Sequence, residues 1–293
     1  MNPVTALGKR DLVIGVSVSE PSEAELIDLG LSELHVRHAF IEVCRHVLAK
    51  GWSVAYGGDL RTAGYTETMF DLARTYDRKD MAGPDRVWSY LPWPAWRSLT
   101  SEDRAGFKNV ATLVEVGAPE SAPDDLPSFE NRNADDRRWA AKALTAMREE
   151  MTRAIHGRVI LGGRTSGQLG LVPGVAEEAL LAFEAEVPLY IVGGFGGCGA
   201  ALAAVVSGTI PDELTITHQA RHTTGYEDLF AASDAAGDEI SFASRFAAMA
   251  ATGIAGLRNG LDEADNLRLL ATDDVDELVA LMLRGLRVVE QDV

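Results

Sequence analysis

The sequence predicts an α/β fold: a mainly parallel sheet with helices on both faces. Three short apolar runs, at residues 53–56, 159–161 and 189–192, each lead straight into paired glycines: Gly57-Gly58, Gly162-Gly163 and Gly193-Gly194. A stretch with helical apolar spacing follows each pair, and the clearest opens at Pro173-Gly174 and runs over residues 175–186. Parallel strands need such crossovers, so the glycines fall at the carboxyl ends of strands. That edge is where open α/β sheets bind ligands.

Residues 11–19 (DLVIGVSVS) read as the first strand. Gly15, Ser17 and Ser19 near its end suit a nearby nucleotide base or phosphate, or simply a tight strand exit. Residues 20–31 read as a polar loop, and Ser32 then caps a helix through Lys50. Leu34, Ile41, Cys44 and Leu48 share one side of it, joined by Phe40, Val43 and Val47, and Gly51 ends it. Strand 53–56 meets Gly57-Gly58 and then Asp59, Leu60 and Arg61, before a helix over residues 65–76.

Residues 77–107 read as irregular, because Pro92 and Pro94 interrupt any helix there. Trp88, Trp93 and Trp96 in that stretch fit a satellite hydrophobic cluster or a subunit contact better than a base-stacking platform. A strand follows at 110–116, then a Pro- and Asp-rich stretch at 117–132 that reads as a mobile loop or lid. Residues 134–155 form a helix with Trp139, Leu144, Met147 and Met151 on its apolar side, and it carries Arg137, Arg138 and Arg148. After the central glycine-rich stretch come a short strand at 214–217, a loop holding His218 and His222, a helix at 240–252, a last strand at 266–271 and a final amphipathic helix at 273–286.

Composition narrows the function. The 293 residues are 46% hydrophobic and 24% charged, which suits one α/β domain spanning the chain, with residues 77–132 as an irregular insertion. A net charge of −17 opposes general nucleic-acid binding but leaves room for a small anion held locally. No secretory signal or membrane-length apolar stretch is read, so a cytoplasmic protein is expected. Cys44 and Cys198 cannot make a zinc site or disulfide framework, and Cys44 reads as a core residue. A histidine pair four apart binds metal only on a helix with a third ligand, and none is evident, so no metal or cofactor is expected.

The site is read from the glycine-lined edge. Arg164 follows Gly163 at a strand end, where a guanidinium can grip a diphosphate. Thr165, Ser166 and Gly167 can donate to phosphate, and Gly193, Gly194, Gly196 and Gly197 can let backbone approach a ligand, while Phe195 either covers a base or packs in the core. Glu177 and Glu178 stand in a first helical turn, where they can accept from ribose hydroxyls or serve only as helix-start residues.

The motifs GVSVSE, AYGGDLRTAGYTETM, MREEM…VILGGRTSGQLGLVPGVAEE and PLYIVGGFGG resemble the SLOG superfamily over about residues 11–286, with residues 77–132 matching no motif. That is the Rossmann-like group containing LOG-type phosphoribohydrolases, Smf/DprA proteins and the ligand-sensing domains of TRPM channels. The run is most similar to prokaryotic sensor versions found with sirtuin-like or TIR effectors in antiviral defence. The resemblance implies binding of an ADP-ribose-like or cyclic ADP-ribose-like signal, a homo-oligomer, and a separate effector protein, since no effector domain is read in the chain. In LOG enzymes an Arg-x-x-Met precedes the strand and a Glu follows the glycines. Arg148 with Met151 and Glu177 or Glu178 match those positions and imply the alternative of an N-glycosidase. Residues 164–175 stand between the glycines and the acids where the enzymes have none, as in the sensor versions. A scaffolding protein, with the tryptophan segment as its interface, is the third expectation.

Overall fold

The computed structural model describes residues 12–58, 64–76, 86–93, 95–107, 110–123, 133–238, 240 and 242–292. Six strands, β1 (Val13–Ser19), β2 (Ser53–Gly57), β3 (Val87–Leu91), β4 (Thr112–Glu115), β5 (Gly157–Gly162) and β6 (Leu189–Val192), form one all-parallel sheet. Its order is β4-β3-β2-β1-β5-β6. The first helices are α1 (Glu23–Asp28), α2 (Glu33–Ala49), α3 (Tyr65–Tyr76), α4 (Ser101–Phe107), α5 (Ala134–Ala154) and α6 (Gly174–Glu184). Then come α7 (Gly197–Val206), α8 (Ile216–His222), α9 (Tyr226–Ala235), α10 (Phe242–Thr252), α11 (Glu263–Ala271) and α12 (Val275–Asp292). No described helix is long and apolar enough to cross a membrane.

Strand alternation divides the core into two layers. Ile14, Val16, Val18, Val54, Val159 and Leu161 face α2 and α12 in one cluster. Val13, Ala55, Trp88 and Tyr90 face Met147 and Met151 of α5, while Ile160 and Ile191 pack with α6 and α7. Gly15 and Gly57 lie on the α5 side. A Cβ at Gly15 would stand 2.8 Å from Ile155 Cδ1, and one at Gly57 3.0 Å from Met147 Cε. Two glycines read as ligand contacts thus lie against α5.

Helix α2 follows its sequence. Ser32 precedes it, the Ser32 N–H donates to His35 Nδ1 at 3.0 Å, and Gly51 takes φ +86° just beyond its end. Leu34 departs from the expected apolar side: it is 74% exposed in the first turn, before that side reaches the core.

Other expectations are corrected. The polar loop at 20–31 contains α1, capped by Ser22, whose hydroxyl accepts from Glu25 N–H. The stretch read as irregular supplies β3, an inner strand buried on both faces, whose VWSYL sequence lacks a polar-apolar alternation. It also supplies α4. The strand expected at 214–217 is a 3-10 turn (Asp212–Leu214) leading into α8, where Thr215 accepts from His218 N–H. His218 and His222 therefore sit on a helix, their rings 4.2 Å apart, and no three His, Cys, Asp or Glu among the described residues are placed to hold a metal. The strand expected at 266–271 is α11, capped by Asp262, which accepts from Asp265 N–H. Its NLRLLA run is short enough to suit either state, and the cap decides it. Helix α9 was not anticipated. Trp93 packs with Ala143, Trp96, Ala122 and Trp139 as a satellite cluster on α5. Most of the lid expected at 117–132 lies outside the described residues.

Candidate functional site at the β1–β5 junction

From β1 the chain crosses to β2, and from β5 it crosses to β6 on the opposite side. β1 and β5 are therefore neighbours at a topological switch point, the place where open α/β sheets commonly bind ligands. Ser19 lies opposite Gly162 at the end of this pair. The chain then turns tightly: Gly163 N–H donates to Ser19 O at 2.7 Å and Arg164 N–H to Ser19 Oγ at 3.1 Å. Gly163 takes φ +106°, and a Cβ there would stand 2.8 Å from Cys198 Cβ and 2.9 Å from Val175 Cβ. Cys198 reinforces the turn, its N–H donating to Gly163 O at 2.8 Å and its thiol to Arg164 O at 3.0 Å. Burial pushes that thiol up to about 12, so it is no nucleophile at neutral pH.

Arg164 is exposed above this turn and has no ion-pair partner among the described residues. Gly167 N–H is held by Thr223 Oγ1 at 2.9 Å. Between it and Arg164, the amides of Thr165 and Ser166 have no hydrogen-bond partner among the described residues. A free guanidinium beside two unspent amides suits an anion.

Below the edge, on the α5–α6 face, four charges meet in the interior. Arg158 of β5 is fully buried, and Glu177 and Glu178 of α6 are 8% and 6% exposed. Arg158 Nη1 donates to Glu178 Oε2 at 2.6 Å and to Ser17 Oγ at 2.8 Å, and Arg158 Nη2 to Thr152 Oγ1 at 3.1 Å. The Ser17 hydroxyl also donates to Glu178. Arg148 of α5 pairs with Glu177 and lies 3.5 Å from Glu178 Oε1, and Thr145 Oγ1 donates to Glu177 Oε1 at 2.5 Å. Burial works against the Arg148 charge, but the Glu177 and Glu178 carboxylates more than offset it and raise its pKa. Burial lowers Arg158 against the hold of Glu178, and the Arg148 charge lowers it further. Both remain cationic at neutral pH. Two cations and two anions thus balance, as buried charges must.

A family model described as SLOG cluster2 matches residues 9–269. The chain belongs to the SLOG cluster2 family. No curated protein and no solved structure matches it.

This SLOG chain distributes its expected site residues unevenly. Ser17, Arg148, Glu177 and Glu178 come together in the buried cluster, and Ser19, Gly162, Gly163, Arg164, Thr165 and Ser166 lie on the turn at the end of the β1–β5 pair or on the loop just after it. The second glycine-rich turn is filled by protein. A Cβ at Gly193 would stand 2.2 Å from Leu270 O, and one at Gly194 2.3 Å from the Thr272 backbone. Phe195 is fully buried in the core. Gly197 N–H, at the start of α7, donates to Glu25 Oε1 at 2.6 Å, and Gly196 lies against Glu25 of α1 and against Leu29 just after that helix. Gly58 stands against the Tyr56 ring, and Arg61 lies outside the described residues.

Sequence reasoning missed Arg158, Thr145 and Thr152. An arginine within an apolar strand, immediately before its Val159–Leu161 run, was the available signal, because a strand buried on both faces admits a charge only with a partner. A cavity of about 720 Å3 lies where α5 meets α6, lined by Thr145, Glu177, Leu181 and Phe242 among others. Glu177 belongs to both this cavity and the charge cluster.

Proposed function

We propose that this SLOG chain binds a nucleotide-derived signal, ADP-ribose-like or cyclic ADP-ribose-like, at the edge where β1 and β5 end, and acts as a sensor. The observation that carries this reading is the unpaired Arg164 beside the free Thr165 and Ser166 amides at the switch point. A diphosphate takes those donors above the Ser19–Gly163 turn. SLOG membership supports a nucleotide-related ligand.

Binding without cleavage is the reading the acids favour. A nucleophile or general acid must reach its target with a free oxygen. Glu178 Oε2 is engaged by Ser17 and Arg158, Glu178 Oε1 faces Arg148 at 3.5 Å, and Glu177 is held by Thr145 and Arg148, with both side chains mostly buried. The N-glycosidase reading draws on one specific observation, the meeting of Arg148 with Glu177. Calorimetry with ADP-ribose, cyclic ADP-ribose isomers, NAD and AMP, followed by chromatography of each mixture, separates the two. Tight binding with the ligand recovered intact supports the sensor. Base and ribose phosphate as products establish the glycosidase, and silence across the panel removes the nucleotide reading. In an assembly, the sensor acts as a homo-oligomer or through a separate effector, which light scattering with and without ligand tests.

A further inference from the structure

The loop that carries Arg164, Thr165 and Ser166 is irregular, and its shape comes from elsewhere in the chain. Gln219 of α8 is fully buried and uses all of its amide. Its Nε2 donates to Thr165 O at 2.7 Å and to Glu213 O at 2.6 Å. Its Oε1 accepts from Gln168 Nε2 at 2.7 Å and from Thr223 Oγ1 at 3.0 Å. Thr223 Oγ1 in turn accepts from Gly167 N–H at 2.9 Å, and Tyr226 Oη donates to Leu171 O at 3.1 Å. One glutamine therefore links both sides of the loop's turn to α8, and one threonine extends the link to its tip. These donors and acceptors fit in one orientation only, since Nε2 faces two carbonyls and Oε1 faces two donors.

We propose that Gln219, with Thr223, is the positioning residue of the ligand loop: it holds the Thr165–Ser166 amides and Arg164 in the conformation that receives an anionic ligand. The inference rests on the binding reading above. A loop ordered beforehand loses less conformational freedom when ligand arrives, so the clamp acts on affinity without touching the ligand.

Gln219→Glu keeps the shape of the side chain and turns an oxygen toward the carbonyls of Thr165 and Glu213. Without ligand, hydrogen exchange at the Gly167 amide, held by Thr223 Oγ1 next to Gln219, is expected to speed up at least roughly tenfold, while the β-sheet amides keep their protection. With ADP-ribose as the probe, Kd should rise about tenfold in the otherwise unchanged chain and less than about twofold in an Arg164→Ala background, because the two changes remove one arrangement. Thr223→Val, which frees Gly167 N–H and removes one of the two donors to Gln219 Oε1, should speed exchange at Gly167 and raise Kd by a smaller factor, and it guards against misfolding of the first variant.

Unchanged loop exchange in both variants overturns the clamp. Equal losses of affinity in the two backgrounds overturn its action through the Arg164 loop. Failure of the unaltered chain to bind ADP-ribose instead removes the site reading and the ligand role with it, while the exchange data still decide whether Gln219 shapes the loop.

Discussion

Glu178→Leu leaves Arg158 fully buried with only two hydroxyls and the distant Arg148–Glu177 pair around it. Removing one partner of a buried ion pair costs about 3–5 kcal/mol, because the remaining charge keeps its desolvation penalty. Against a total stability of about 5–15 kcal/mol that is a large loss, corresponding to a fall in Tm of about 10 °C for a domain of this size. Arg158→Met should cost a similar amount by stranding Glu178, although Arg148 at 3.5 Å offsets part of it. The double variant Arg158→Met/Glu178→Leu removes both charges and replaces them with apolar volume. It should recover most of the loss, falling short by about 1 kcal/mol because the Ser17 hydroxyl loses both of its partners. Urea unfolding of the four proteins gives the cycle, and a coupling of at least about 2 kcal/mol is expected. Additive single losses, or single losses under about 1 kcal/mol, would refute the idea that these residues form one neutralised unit. The double variant then asks a functional question. If it is stable and still binds nucleotide, the cluster is scaffold alone; if it is stable and no longer binds, Glu178 faces the ligand.

Arg164→Ala should leave stability within about 0.5 kcal/mol, since the side chain is exposed. In calorimetry it should weaken nucleotide binding by about 1.5–3 kcal/mol. Gly194→Val should fail to fold or unfold at much lower urea, because its Cβ would stand 2.3 Å from backbone atoms of Thr272; a well-folded variant contradicts that packing. Burial holds His156 below its ordinary value of 6.5, while its Nδ1 accepts from Val13 N–H at 3.0 Å. The native state therefore binds fewer protons than the unfolded chain, and stability should be full above about pH 6.5 and decline as pH falls below it. His156→Asn should flatten that part of the urea-midpoint profile, and an unaltered slope would assign it to other groups.

The parts of the fold legible in the sequence were those whose signal is local. Paired glycines after apolar runs located β2, β5 and β6, and Ser32 with Gly51 bounded α2. β3 was hidden because an inner strand buried on both faces shows no alternation, and its aromatic content among prolines suggested a cluster instead. α11 was misread because LRLL suits either state in isolation. For the site, the glycines were a correct sign of close approach and an incomplete sign of what approaches. At Gly163 the neighbours are Val175 and Cys198, at Gly194 the Thr272 backbone, and at Gly15 helix α5. Distinguishing ligand from protein at such positions needs the third dimension. The pairing of Arg148 with Glu177 was legible only through family resemblance, since 29 residues separate them. Arg158 showed only as a charge inside an apolar strand, and Gln219 was not legible at all, because its partners lie on other elements and no spacing links them.

The most direct test of the central claim is a crystal structure of the chain with ADP-ribose. The account predicts the diphosphate over the Ser19–Gly163 turn, within hydrogen-bond reach of the Arg164 guanidinium and the Thr165 and Ser166 amides. A ligand seated instead in the cavity between α5 and α6, or held by neither Arg164 nor those amides, would contradict it.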